Sequence, residues 1–182
     1  MSIIEEIIFA GKVLYQENLV NSHAGNISVR KGDKIYITKT GAMLGFLKEE
    51  DIVEVDIKPS EKDKKASTEL IVHRAIYEKT DAKAIVHAHP VNMVALSFKI
   101  DKFIPIDSEG KLFIKEVPII EAKVPSASKE VAEKVSDSLK EYNIVVVKTH
   151  GCFIKAENLI KAVNLASDLE YCAKIFRYVR NL

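Results

Sequence analysis

Apolar residues recur at helical spacing from the start of the chain. Ile3, Ile4, Ile7, Ile8, Leu14 and Tyr15 mark one face of an amphipathic helix over residues 2–18. A polar turn, Asn21-Ser22-His23-Ala24-Gly25-Asn26, ends that pattern and leads into a hairpin. Its strands run from Ile27 to Arg30 and from Lys34 to Thr38 around Lys-Gly-Asp. Thr40 to Gly45 carries two glycines and reads as a loop. Ile52 to Ile57 alternates apolar and acidic residues, as a half-buried strand does.

The second half interleaves the two periods. Lys58 to Lys65 is a charged, solvated linker; Ser67 or Thr68 is positioned to cap a helix running to about Lys79. Ala84 to His89 is a short apolar strand, and Pro90 suits the first turn of a helix over 91–98. Short β-type runs follow at 103–106, 112–114 and 117–120, around a Ser108-Glu109-Gly110 turn. Ser126 or Ser128 opens a helix to about Glu141. Ile144 to Val147 is wholly apolar, Cys152 to Lys155 forms a last strand or turn, and a long helix covers about 158–179. Strands alternating with helices and hairpins predict a three-layer α/β/α sandwich with a mixed or mainly antiparallel central sheet. No internal repeat or second domain is visible, and 182 residues suit one domain, 1–182.

Composition narrows the function classes. A chain 47% hydrophobic and 29% charged is ordinary for a globular protein, and a formal net charge of +1 offers no broad basic field for nucleic acid or membrane. A substrate phosphate would have to be held by local geometry. Two cysteines, Cys152 and Cys172, make neither a disulfide framework nor a zinc pair, so a reduced, cytoplasmic protein is expected. Glu5 and Glu6 interrupt the first apolar run, which also lacks the basic leader of a signal peptide.

The strongest chemical signal is Val86-His87-Ala88-His89-Pro90. Side chains alternate along a strand, so His87 and His89 project to one face at its end. Such a pair either chelates a metal or simply closes a strand. His150, also at the end of an apolar strand and before a glycine, favours the metal. Three neutral imidazoles match the three-ligand, open-position pattern of catalytic zinc. Glu69 lies in a first helical turn, where favourable dipole chemistry alone would explain it. His73, four residues on, reads as a packing or supporting residue, and His23 as a solvated loop histidine. Gly25-Asn26, Thr40-Gly41 and Ser67-Thr68 each offer N–H groups or hydroxyls to an anion, although ordinary turns explain any one of them.

Five segments together resemble the class II aldolase family, typified by L-fuculose-1-phosphate aldolase and including L-ribulose-5-phosphate 4-epimerase. They are AGNISVR at 24–30, ITKTGAMLG at 37–45, ASTEL at 66–70, AIVHAHP at 84–90 and THG at 149–151. The resemblance covers nearly the whole chain and implies the sandwich fold, assembled as a homotetramer with active sites between subunits. Position by position, it makes His87, His89 and His150 ligands of one Zn2+ per subunit and Glu69 the acid–base residue. Gly25, Asn26, Thr40, Gly41, Ser67 and Thr68 fall where the family binds the substrate phosphate. The expected activity is reversible cleavage of a phosphorylated ketose, L-fuculose 1-phosphate or an analogue, to dihydroxyacetone phosphate and an aldehyde such as L-lactaldehyde.

The chain departs from the family pattern twice. Aldolase relatives place a neighbouring subunit's tyrosine near the aldehyde, whereas Ile104 to Gly110 holds none. Longer relatives add a C-terminal tail bearing another tyrosine, while this sequence stops at Leu182; Tyr171 and Tyr178 are not obvious substitutes. Epimerase relatives carry aspartate at the position of Glu69, which favours aldol cleavage. Dehydratases of the methylthioribulose-1-phosphate type keep a glutamate and are the main rival. Adducin-type binding modules share the fold without the histidines, which argues against that class.

Overall fold

The computed structural model describes residues 1–181; Leu182, where the sequence ends, lies outside them. Eight strands form one sheet: β1 (Asn26–Lys31), β2 (Lys34–Thr38), β3 (Ile52–Asp56), β4 (Ala84–Ala88), β5 (Lys102–Phe103), β6 (Val117–Ile120), β7 (Ile144–Val147) and β8 (Gly151–Ala156). Their order is β3-β2-β1-β4-β8-β7-β6-β5, and every pair is antiparallel except β6 with β7. A parallel neighbour needs a crossover, which α4 (Lys129–Ser138) supplies between those two strands. The other helices are α1 (Ile3–Gln16), α2 (Leu70–Lys79), α3 (Val91–Ser97) and α5 (Leu159–Arg180). None is long and apolar enough to cross a membrane.

Alternation along the central strands divides the interior into two cores. Ala84, Val86 and Ala88 of β4, with Ile144, Val146, Cys152 and Ile154, pack with residues of α1, α3 and α5. Ile85, Val145, Val147 and Phe153 pack with Leu70, Val72, Ile76 and Tyr77 of α2 and Val131 and Val135 of α4. These are the two faces of a three-layer α/β/α sandwich. The same parity puts His87 on the α2/α4 side, its ring stacked on Phe153 at 4.1 Å between centroids. Caps punctuate the helices: Ser2 and Glu5 form a reciprocal capping box on α1, and Asn158 Oδ1 accepts from Lys161 N at 2.8 Å on α5.

Several expectations shift. The β-type run at 112–114 is a π-helical turn, Gly110–Ile114; Leu112 and Phe113 are exposed and have no strand to pair with. The 103–106 strand shrinks to Lys102–Phe103 at the sheet edge. Neither Ser67 nor Thr68 caps α2, because Glu69 occupies the N-cap position. Ser128, not Ser126, caps α4, accepting from Val131 N at 3.1 Å. Within the charged linker, Glu61–Lys65 forms a 3-10 turn. There the Asp63 carboxylate pairs with Arg74, whose guanidinium also donates to the Asp56 and Lys58 carbonyls.

Candidate metal and substrate site

Three strand ends meet at one point of the sheet. His87 lies near the end of β4, His89 just beyond it, and His150 in the turn joining β7 to β8. One ligand nitrogen from each lies within 4.8 Å of the other two. His87 is buried, and its Nδ1–H donates to the Cys152 carbonyl at 2.9 Å, leaving Nε2 as the lone-pair nitrogen. That atom lies 3.0 Å from His89 Nε2. Burial, followed by the neighbouring imidazoles, pushes His87 well below the usual histidine range, and burial chiefly brings His89 down to about 4. Both are therefore neutral at physiological pH, the form that binds metal.

The backbone around the cluster allows no side chain where Gly151 sits. A Cβ there would lie 2.5 Å from the Ala88 carbonyl oxygen and 3.0 and 3.2 Å from the rings of His89 and His87. Two residues earlier, Thr149 takes a left-handed conformation, φ 66°, which a β-branched residue rarely adopts. Its N–H donates to the buried Ser97 hydroxyl at 2.9 Å, which holds the turn in place.

Glu69 reaches the same point from the start of α2. It is 4% exposed, with Oε1 3.6 Å from His150 Nε2, an electrostatic contact rather than a hydrogen bond. Oε1 accepts from the Ser126 hydroxyl at 2.9 Å and from the Ala127 N–H at 3.1 Å. Burial pushes the carboxyl up, but His150, Ser126 and Ala127 outweigh it and hold Glu69 below its usual value. Glu69 Oε2 and His150 Nε2 are both buried without a partner. An orphaned imidazole nitrogen within the three-histidine cluster and an orphaned carboxylate oxygen beside it fit a metal ion, since such groups are otherwise costly to bury.

Of the three small polar pairs, Thr40-Gly41 and Ser67-Thr68 adjoin each other, and Gly25-Asn26 lies against His87. Asn26 is paired with His87 across β1 and β4. Gly25 has φ 88°, and a Cβ there would strike Val20 at 2.6 Å and the His87 carbonyl oxygen at 2.9 Å, so only glycine fits. Lys39 bridges Ala66, Ser67 N donates to the Thr38 carbonyl at 3.0 Å, and Thr40 Oγ1 donates to the Ala66 carbonyl at 2.9 Å. Thr40, Gly41 and Thr68 remain exposed, and Thr40, Ser67 and Thr68 line an open groove of about 650 Å³ with Arg74 and Lys129. The histidines do not line that groove, so it is not the metal site itself.

Spacing does not single out Ser126 or Ala127 as site residues; Ser126 reads from sequence only as a helix cap. A contact reaching 57 residues back to Glu69 has no local signature. His73, expected to be a supporting residue, is wholly buried and hydrogen-bonded to Asn26. His23 is exposed, as its turn implies, and so are Tyr171 and Tyr178.

Comparison with known proteins identifies the family. The family described as Class II Aldolase and Adducin N-terminal domain matches residues 5–176. An L-fuculose phosphate aldolase of Methanocaldococcus jannaschii is 34% identical over 163 residues, 89% of this chain and 88% of that protein. The crystal structure of L-fuculose-1-phosphate aldolase from Thermus thermophilus superimposes with a TM-score of 0.93 at 36% identity, covering 98% of this chain and 94% of that one. A 3-oxo-tetronate 4-phosphate decarboxylase of Haemophilus influenzae is 28% identical over 180 residues, 94% of this chain and 85% of that protein. Decarboxylation is a chemistry the motifs do not suggest. Fold, motif order and relatives converge: the chain belongs to the class II aldolase family and is an enzyme of the lyase class.

Proposed function

We propose that this enzyme is a zinc-dependent aldolase. It reversibly cleaves a ketose 1-phosphate, L-fuculose 1-phosphate or a close analogue, to dihydroxyacetone phosphate and a small aldehyde such as L-lactaldehyde. The observation that carries this reading is the setting of Glu69, anchored through one oxygen beside the three imidazoles with its second oxygen buried and free. The relatives whose names include fuculose phosphate support the substrate class.

His87, His89 and His150 would hold the zinc ion, which when bound supplies Lewis acidity toward the carbonyl and hydroxyl oxygens of the ketose. Glu69 moves the proton at C3. In cleavage the C4 hydroxyl proton passes to the Glu69 carboxylate as the C3–C4 bond breaks, and Glu69 then delivers it to C3; in condensation Glu69 removes the C3 proton and returns it to the C4 oxygen as the bond forms. Ser126 and Ala127 occupy Oε1, so Oε2 is the working oxygen. Gly25, Asn26, Thr40, Gly41, Ser67 and Thr68 bind the phosphate through N–H groups and hydroxyls rather than through a basic field. The chain works as one domain, 1–182, in a cytoplasmic homotetramer with its sites between subunits. Two free, buried cysteines are consistent with a reducing compartment.

Incubating the zinc-loaded protein with a panel of ketose 1-phosphates tests the activity: dihydroxyacetone phosphate is expected, and its absence across the panel overturns the assignment. Loss of water from methylthioribulose 1-phosphate would point to a dehydratase, and carbon dioxide from 3-oxo-tetronate 4-phosphate to a decarboxylase. Elemental analysis should find about one zinc per chain, lost in His87→Ala and His150→Ala. Light scattering that returned a monomer mass at assay concentration would contradict the tetramer.

A further inference from the structure

Behind the proposed phosphate turns lies a run of buried polar side chains that the chemistry above does not use. His73 and Ser28 are 0% exposed and Tyr77 1%. Tyr77 Oη lies 2.8 Å from Ser28 Oγ, Ser28 Oγ lies 2.7 Å from His73 Nδ1, and His73 Nε2 lies 2.6 Å from Asn26 Oδ1. The run crosses from α2 to β1 and ends on the residue paired with His87.

Hydrogen-bond chemistry gives this run one direction. Tyr77 Oη has Ser28 Oγ as its one hydrogen-bond partner among the described residues, so its O–H donates there, Ser28 donates on to His73 Nδ1, and His73 Nε2 keeps the proton that Asn26 Oδ1 accepts. Burial lowers His73 to about 4, so the ring is neutral and Nδ1 is a bare acceptor. Ser28 must then donate to Nδ1, and its oxygen is left to accept from Tyr77. Burial raises the Tyr77 phenol, which keeps that donor protonated. Each member has a single role, and reversing any one of them leaves two donors or two acceptors facing each other without water.

The result is felt at Asn26. Its Oδ1 is taken by the His73 N–H, while its amide NH2 makes no hydrogen bond among the described residues. An asparagine amide can otherwise turn over and present its oxygen, which repels an anion. We propose that His73 is a positioning residue that locks the Asn26 side chain with its NH2 donor toward the substrate phosphate. This rests on the phosphate-binding reading above, and it adds a specificity device to it. The fold thereby selects a phosphorylated over a neutral ketose without adding a cation.

The test uses zinc-loaded protein and two probes, inorganic phosphate and the phosphorylated ketose. In His73→Leu the amide is released, and the affinity for inorganic phosphate measured by calorimetry should fall about tenfold, the scale of one hydrogen bond to a charged group. KM for the phosphorylated ketose should rise by a similar factor, with kcat falling less than about threefold. Ser28→Ala removes the group that sets the His73 tautomer and should weaken phosphate binding in the same direction; it guards against a folding failure of the His73 variant. Turnover of the unphosphorylated sugar should not change in step with KM.

Wild-type protein that binds no phosphate would refute the phosphate site itself. Wild-type binding with equal affinity in both variants would overturn the role of His73 alone. Loss of zinc, or a fall in kcat with KM unchanged, would also overturn it, by showing that the run serves the metal ligands instead. If no ketose is cleaved yet phosphate binding depends on His73, the positioning role stands and only the aldolase activity falls.

Discussion

Gly151→Ala tests whether the metal cluster depends on the absence of one methyl group. The added Cβ would lie 2.5 Å from the Ala88 carbonyl oxygen, about 0.9 Å inside the 3.4 Å at which ordinary contact begins. That oxygen cannot step aside, because Ala88 and Cys152 are paired in the β4–β8 ladder. The strands must part, and overpacking of this kind costs about 1–3 kcal/mol. For a chain of this size each kcal/mol lowers Tm by about 2–4 °C, so the chelator-treated variant should melt about 2–12 °C below wild type.

A second effect is specific to the site. The same methyl presses on His89 at 3.0 Å and His87 at 3.2 Å, displacing both rings. If zinc affinity falls about a hundredfold, about 2.7 kcal/mol of zinc-linked stabilisation disappears. The assay is a pair of thermal melts, chelator-treated and zinc-saturated, for wild type and variant. Gly45→Ala serves for comparison, since its Cβ would strike the Tyr15 ring at 2.4 Å and touch neither histidine. It should lose stability and keep the zinc-induced shift, whereas Gly151→Ala should lose both. A Gly151→Ala protein that melts within about 1 °C of wild type and keeps its zinc shift would refute the packing argument.

Three further outcomes follow from the same geometry. Glu69→Gln should retain zinc and lose activity by about a hundredfold or more, as for a general base; an active variant would remove that role. Ser126→Ala leaves only the Ala127 N–H on Glu69 Oε1 and should lower kcat about tenfold at unchanged zinc content; Ser126→Thr, which keeps the hydroxyl, should recover most of it, and identical kcat in wild type and Ser126→Ala would be decisive against it. Because His73 titrates near 4 in the native state and near 6.5 when unfolded, the unfolded chain binds protons first as pH falls. In the metal-free protein the His73 contribution should therefore be lost between pH 6.5 and about 4, costing about 3 kcal/mol, and change no further below that window. Urea midpoints across that window should fall less steeply in His73→Gln, and an unaltered slope would show that His73 is not buried neutral.

Much of this protein is legible along the chain because the determining interactions are short-range in sequence. Alternation in Ala84 to His89 and the apolar run Ile144 to Val147 reveal buried strands, and the parity that places His87 and His89 on one face needs no tertiary knowledge. The α1 and α5 spans follow from their apolar spacing. The three histidines read as candidate metal ligands through their residue type and strand-end positions. Where the sequence misleads, burial or a partner decides. Leu112 to Ile114 has β-type composition but no neighbouring strand to bond, so it turns as a π-helix instead.

What only tertiary structure decides is which groups meet across long separations. Glu69 reads along the chain as an unremarkable carboxylate at a helix start until Ser126 and Ala127 take its Oε1 and His150 comes to 3.6 Å. Asn26 and His73, 47 residues apart, become partners only when β1 and α2 pack together. A side chain's apolarity and its local period are carried by the residues themselves. The direction of a buried hydrogen bond, and the oxygen of a carboxylate left free, depend on what the rest of the chain places opposite, and those are the features that set this site's chemistry.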